Sequence, residues 1–288
     1  MSHANDNYYV PHGSHWPIVG SIGLLFLMVG VSNWLNGAAA GFWIMLAGVA
    51  VIVFMLIGWF ATVISESTGG LYNDQVDYSF RMGMFWFIFS EVMFFAAFFG
   101  ALFYARTMAV PWLGGDSNNF FTNSILWAGY EATWPTNGPA GVGGDFEVMK
   151  PFGLPLINTA ILLTSSVTVT IAHHALMAGQ RGILKTFLGL TFILGFIFVF
   201  LQAEEYIHAY EAMNLKLTSG IYGSTFYLLT GFHGLHVTIG AIMLTIMWLR
   251  VMKGHFTPEN HFAFEATAWY WHFVDVVWIG LYVFVYWM

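Results

Sequence analysis

The sequence predicts an all-α membrane protein of seven transmembrane helices, and three observations carry that prediction. Charged residues fill only 8% of the 288 positions and hydrophobic ones 58%, whereas a soluble domain carries about 25% charged residues to keep its surface in water. Seven apolar runs follow one another along the chain, each long enough to cross ~30 Å of hydrocarbon at ~1.5 Å per residue. Trp and Tyr gather near the ends of those runs, where rings with one polar edge settle at the membrane–water boundary.

The runs lie at about 17–36, 41–64, 80–106, 152–178, 184–209, 221–250 and 264–287. Helices are expected because backbone groups cannot stay unpaired in lipid, and the alternating ten-residue pattern of barrel strands is missing. Trp16, Trp34, Trp43, Tyr104, Tyr222, Trp269 and Trp287 are the expected interfacial anchors. The tight turn at 36–41 makes the first two spans a hairpin, and small-residue stretches such as Gly20-Ser21-Ile22-Gly23 or Gly231-Phe232-His233-Gly234 allow close helix approach. One connection is long. Residues 107–151 hold Pro111, Gly114, Gly115, Pro135, Pro139, Gly143 and Gly144 and read as an extramembrane loop. With no internal repeat, residues 1–288 read as one domain.

Composition also excludes functions. The chain has no cysteine, which removes disulfides, iron–sulfur clusters and thiolate metal sites, including the cysteine pair of a dinuclear copper centre. A net charge of −7 argues against nucleic acid, which calls for a basic surface. Met1 to Trp16 contains no Lys or Arg, so it lacks the basic start of a signal peptide, and the first span is expected to remain in the mature chain. With the N-terminus cytoplasmic, Arg81, Arg181, Lys185, Arg250 and Lys253 lie inside and Arg106, Lys150 and Lys216 outside, which favours that orientation.

An ionisable group at membrane depth costs ~2.5–3.5 kcal/mol on insertion scales and calls for a reason. Glu91 is centred in the third span. Its residues leave two readings open: a carboxyl that carries protons or meets lipid, or a neutral acid bonded to a neighbouring helix. Asp275 in the seventh span has His272 one turn before it, on the same face, and packing between helices is the expected role. Glu204 and Glu205 are expected at a wetted helix end. His173, His174, His208, His233, His236 and His272 fall in or near spans, but without the spacing along one helix that holds two stacked haems. Hydrogen bonds between helices are therefore expected of them, with no metal ligand among them. His3, His12 and His15 could gather protons at the cytoplasmic surface or simply be solvated. On these grounds a transporter and a haem-bearing cytochrome lose support, and a cofactor-free subunit of a larger complex survives.

Longer motifs go further. Phe262-Ala263-Phe264-Glu265-Ala266-Thr267-Ala268-Trp269-Tyr270-Trp271-His272-Phe273-Val274-Asp275-Val276-Val277-Trp278 resembles the signature of cytochrome c oxidase subunit III. Tyr222-Gly223-Ser224-Thr225-Phe226, Thr230-Gly231-Phe232-His233-Gly234-Leu235-His236, Ser90-Glu91-Val92 with Phe94-Phe95, and Leu156-Ile157-Asn158-Thr159 leading to Ala172-His173-His174-Ala175-Leu176-Met177 are similar too. Trp16-Pro17 and Glu66-Ser67-Thr68 extend the likeness over essentially the full chain.

The resemblance implies a bundle of helices one and two (about 17–64), set off by a V-shaped lipid-binding cleft from a bundle of helices three to seven (about 80–287). It implies a non-catalytic subunit with no haem or copper of its own. Such a subunit packs against subunit I, beside subunit II, in a proton-pumping complex that takes electrons from cytochrome c and reduces oxygen in subunit I, with haem and copper held by the partner subunits. It also implies bound phospholipids, held by Trp59, Phe87, Glu91, His233, Arg250 and Lys253, and a part in sustaining turnover and proton uptake. Ala61 and Ser65 stand where relatives often carry basic residues, and Tyr72-Asn73 where they carry a His-Thr pair, which takes head-group contacts away from that hairpin. The 107–149 stretch has no Lys or Arg but carries Asp116, Glu131, Asp145 and Glu147; it could attract a basic electron donor or simply be solvated. The alternative is the equivalent quinol-oxidase subunit, which commonly lacks the first two helices. The expected location is the inner (plasma) membrane of a bacterium, with the mitochondrial inner membrane as the alternative.

Overall fold

A computed structural model describes residues 9, 10 and 13–288. Among them are seven helices long and apolar enough to cross a membrane: α1 Trp16–Leu35, α2 Ala39–Thr68, α3 Asp74–Leu113, α4 Leu154–Met177, α5 Arg181–Glu211, α6 Gly220–Met252 and α7 Phe262–Trp287. They match the apolar runs in number and order. The main difference lies in α3, which begins in the polar turn around Asp74 and continues to Leu113 rather than ending near 106. Its backbone widens into a π-helical stretch at Ala105–Ala109 before Pro111. Residues 107–113, expected in the loop, are therefore helical.

The chain divides into two compact units, Met1–Met82 and Gly83–Met288. In the first, α1 and α2 pack through glycines. Gly23 and Gly30 on α1, and Gly41 and Gly48 on α2, are each seven residues apart, so each pair returns to one face of its helix. A Cβ on Gly30 would strike the backbone of Met45, one on Gly41 the backbone of Trp34, and one on Gly48 the backbone of Leu27. Close backbone approach of this kind is how helices associate in lipid, where there is no hydrophobic gain from burying apolar groups. Trp16 fills the space over Gly58, whose Cβ would overlap the indole. Beyond the hairpin, Glu66 receives two phenols: Tyr72 donates to Oε2 at 2.7 Å and Tyr9 to Oε1 at 3.0 Å.

The second unit is built around α7. Trp271 is fully buried, and its ring lies where a Cβ on Gly195 of α5 or Gly240 of α6 would come within 2.6 and 2.8 Å. Its indole N–H donates to Ser165 Oγ of α4 at 3.0 Å. One side chain thus ties three helices to the fourth. Trp278 repeats the device one level along, donating to Thr159 Oγ1 at 2.9 Å and meeting Phe198 edge-on.

Candidate functional site

Glu91 on α3 and His236 on α6 form the polar centre of the second unit. Glu91 Oε2 lies 2.9 Å from His236 Nε2, and both side chains are mostly buried. The other ring nitrogen, Nδ1, is 2.6 Å from the carbonyl oxygen of Phe232. A carbonyl only accepts, so Nδ1 carries a hydrogen. The Nε2–Oε2 contact then holds exactly one further proton, on the acid or on the ring. Either way the pair is neutral as a whole, which is the condition for placing it among Phe94, Phe95, Phe273 and Tyr270, whose rings surround the imidazole. Of the two readings open for Glu91, the bond to a neighbouring helix is observed.

His233, one turn before His236, faces a different way. It is 0% exposed, and its Nε2–H donates to the Val274 carbonyl at 3.2 Å. The resemblance made it a lipid contact; packing on all sides by α5 and α7 keeps lipid from reaching it, and that expectation is corrected here. The other expected lipid contacts are accessible to differing degrees. Trp59, in the first unit, and Phe87, in the second, are both exposed. Lys253 is exposed at the end of α6. Arg250, one turn earlier, is largely buried, with its guanidinium 4.4 Å from the Phe256 ring centroid. Its buried Nε has no hydrogen-bond partner.

The remaining ionisable groups divide. His272 bonds through Nδ1 to Ser166 Oγ of α4 at 2.8 Å, and it stands 3.9 Å from Asp275, the helix-joining role expected of it. Glu204 is exposed, as a wetted end would be. Glu205 is not: it is 0% exposed and accepts from the Tyr286 hydroxyl at 2.7 Å and the Gln202 amide at 3.5 Å. Both glutamates were expected at a wetted end; a helical turn of about 100° per residue sends neighbours to different faces, and only Glu205 points at α7. His15 is the residue before α1, exposed, with its ring tilted against that of Trp16. His3 and His12 lie outside the described residues.

The long connection is pinned rather than free. Asn214 donates to the carbonyls of Gly143 and Asp145 at 3.0 and 2.9 Å, Glu147 N–H donates to Met213 O at 2.9 Å, and Tyr222 N–H to Thr136 O at 3.2 Å. Trp134 and Phe146 both pack against Tyr222.

Comparison with known proteins agrees with this architecture. The family model described as cytochrome c oxidase subunit III matches residues 6–288. Proteins named cytochrome c oxidase subunit 3 from Formosania lacustris and Oncorhynchus mykiss are 42% identical over 288 residues, and one from Gadus morhua is 41% identical. Each alignment covers 100% of this chain and 99% of the relative. A membrane bundle of seven helices, a helix-borne carboxyl met by histidine and a likeness that runs from end to end lead to one conclusion: the chain belongs to the cytochrome c oxidase subunit III family, and so is a subunit of an oxidoreductase complex.

Proposed function

We propose that this chain is a phospholipid-holding core subunit that stabilises its catalytic partner, subunit I, beside subunit II, and assists proton uptake. Haem, copper and the oxygen chemistry lie in the partner subunits, and cytochrome c is the donor. The observation that carries the lipid reading is Arg250. Among the described residues no carboxylate pairs with its guanidinium, a cation that a phosphate can match, and the exposed Lys253 adds a second positive charge three residues on. A lipid phosphate at the end of α6 satisfies both. Trp59, Phe87 and Glu91 are the remaining proposed lipid contacts.

The quinol-oxidase alternative loses support: α1 and α2 are present, and the relatives carry the cytochrome c oxidase name. The relatives are fish proteins, which weighs toward a mitochondrial inner membrane over the bacterial plasma membrane first expected. Seven crossings put the two termini on opposite sides, and the excess of basic residues on one side supports an interior N-terminus. Counting phospholipids by mass spectrometry in the purified oxidase tests the reading. Arg250→Ala should lose bound phospholipid and inactivate faster during turnover; an unchanged lipid count overturns it.

A further inference from the structure

We propose that His173, His261 and Glu265 form a binding site for a divalent transition-metal ion of the zinc type, joining the end of α4 to the start of α7. One ligand-capable atom from each lies within 4.8 Å of those of the other two. The arrangement follows from the helices. His261 immediately precedes the first turn of α7 and Glu265 is four residues on, so both project from one side of that helix. His261 Nε2 and Glu265 Oε2 are 3.8 Å apart, with the side chains only 10% and 17% exposed. His173 comes from the last turns of α4, its ring centroid 5.6 Å from that of His261 and 5.7 Å from that of Phe264.

A further observation points to a ligand. His173 Nε2 is buried with no hydrogen-bond partner. A buried imidazole nitrogen left unpaired costs free energy comparable to a lost hydrogen bond, and an ion accepting one nitrogen from each ring fixes both tautomers at once. The donor set, two imidazoles and a carboxylate, suits zinc, with the fourth tetrahedral position left to water. Bonds of ~2.0–2.2 Å require the three groups to draw together, which rotation about the side-chain bonds of His261 and Glu265 supplies. No single helix carries the site: its ligands come from two helices far apart in sequence. The bound ion is redox-inert and staples two helix ends.

Radiometric zinc titration of the chelator-washed intact oxidase tests the proposal. His173→Ala and Glu265→Gln should each lose one zinc ion per complex at free zinc that saturates the unaltered complex, a weakening of about tenfold or more, while His208→Ala retains it. Equal stoichiometry in the unaltered complex and both site variants overturns the proposal. A readout needing no variant is histidine carbethoxylation by diethyl pyrocarbonate, mapped by mass spectrometry. Zinc should suppress labelling of His173 and His261 and leave His208 unaffected; unchanged labelling at His173 and His261 overturns the assignment even where a variant fails to assemble.

Discussion

His236 reaches Glu91 at 2.9 Å while its other nitrogen is committed to the Phe232 carbonyl 2.6 Å away. That commitment decides what the contact can be. With Nδ1 carrying hydrogen, the bond to Glu91 exists only while the pair retains its shared proton, so a charged partner elsewhere is unnecessary and loss of the proton breaks the link between α3 and α6.

Glu91→Gln should therefore assemble and keep its stability, because the amide N–H can donate to Nε2 and preserve the link. Glu91→Ala leaves Nε2 without a partner and should cost ~1–3 kcal/mol. Yield of intact oxidase and its thermal denaturation midpoint separate the two; equal behaviour of the variants contradicts the bond's role.

The hairpin of α1 and α2 should be intolerant of a single methyl group. Gly41→Ala and Gly30→Ala place a Cβ against the backbones of Trp34 and Met45, at a cost of ~1–3 kcal/mol from overpacking. Gly83→Ala is the control, since nothing lies within 4 Å of its would-be Cβ. Because the chain has no cysteine, a cysteine pair engineered across the hairpin reports its closure without background. Cross-linking that is undiminished in Gly41→Ala refutes the seam.

Trp271→Ala should be among the most damaging substitutions in the chain. It removes a fully buried indole from contact with Gly195, Gly240 and Ser165, for ~3–5 kcal/mol. Trp271→Phe keeps most of the volume and loses the donor, so it should cost less. Assembly and heat stability of the complex rank them, and equal losses in the two variants show that the hydrogen bond outweighs the packing.

Burial pushes the Tyr72 phenol above its ordinary range, and its hydrogen bond to Glu66 and the charge there push it further. The folded chain thus keeps a proton that an unfolded tyrosine releases near pH ~10. The stabilisation is complete below that pH and is lost as pH climbs toward the raised value. Tyr72→Phe should lower stability at neutral pH by ~1 kcal/mol and flatten the alkaline decline. Denaturation midpoints measured across alkaline pH check this; identical slopes in the two proteins rule it out.

Much of this architecture was legible in residue pattern, and the exceptions share a cause. Span number and order follow from apolar length, which lipid thickness dictates directly. The start of α3 was missed because Asp74 and Asp77 open a helix outside the hydrocarbon, where hydropathy has no authority; acidic residues in a first turn were the available signal. His233 and His236 stand one turn apart on α6, yet one bonds to α7 and the other to α3, because a three-residue step still differs by about 60° and a crowded bundle resolves that angle. Glu205 went unrecognised for the same reason. Its partner Tyr286 is 81 residues away, and no local pattern announces such a meeting.

The spans differ sharply in how much of themselves the chain encloses. Over the apolar 18-residue stretch of each, the buried shares in α1, α2 and α3 are 17%, 11% and 11%, against 33%, 33%, 44% and 56% in α4 to α7. To the proteases that police a membrane, a newly inserted copy waiting for its partners presents the same broad unclaimed face as a misassembled one. Its lifetime is then set by how soon other chains claim that surface, so its abundance should track the supply of the oxidase's other subunits more closely than its own rate of synthesis.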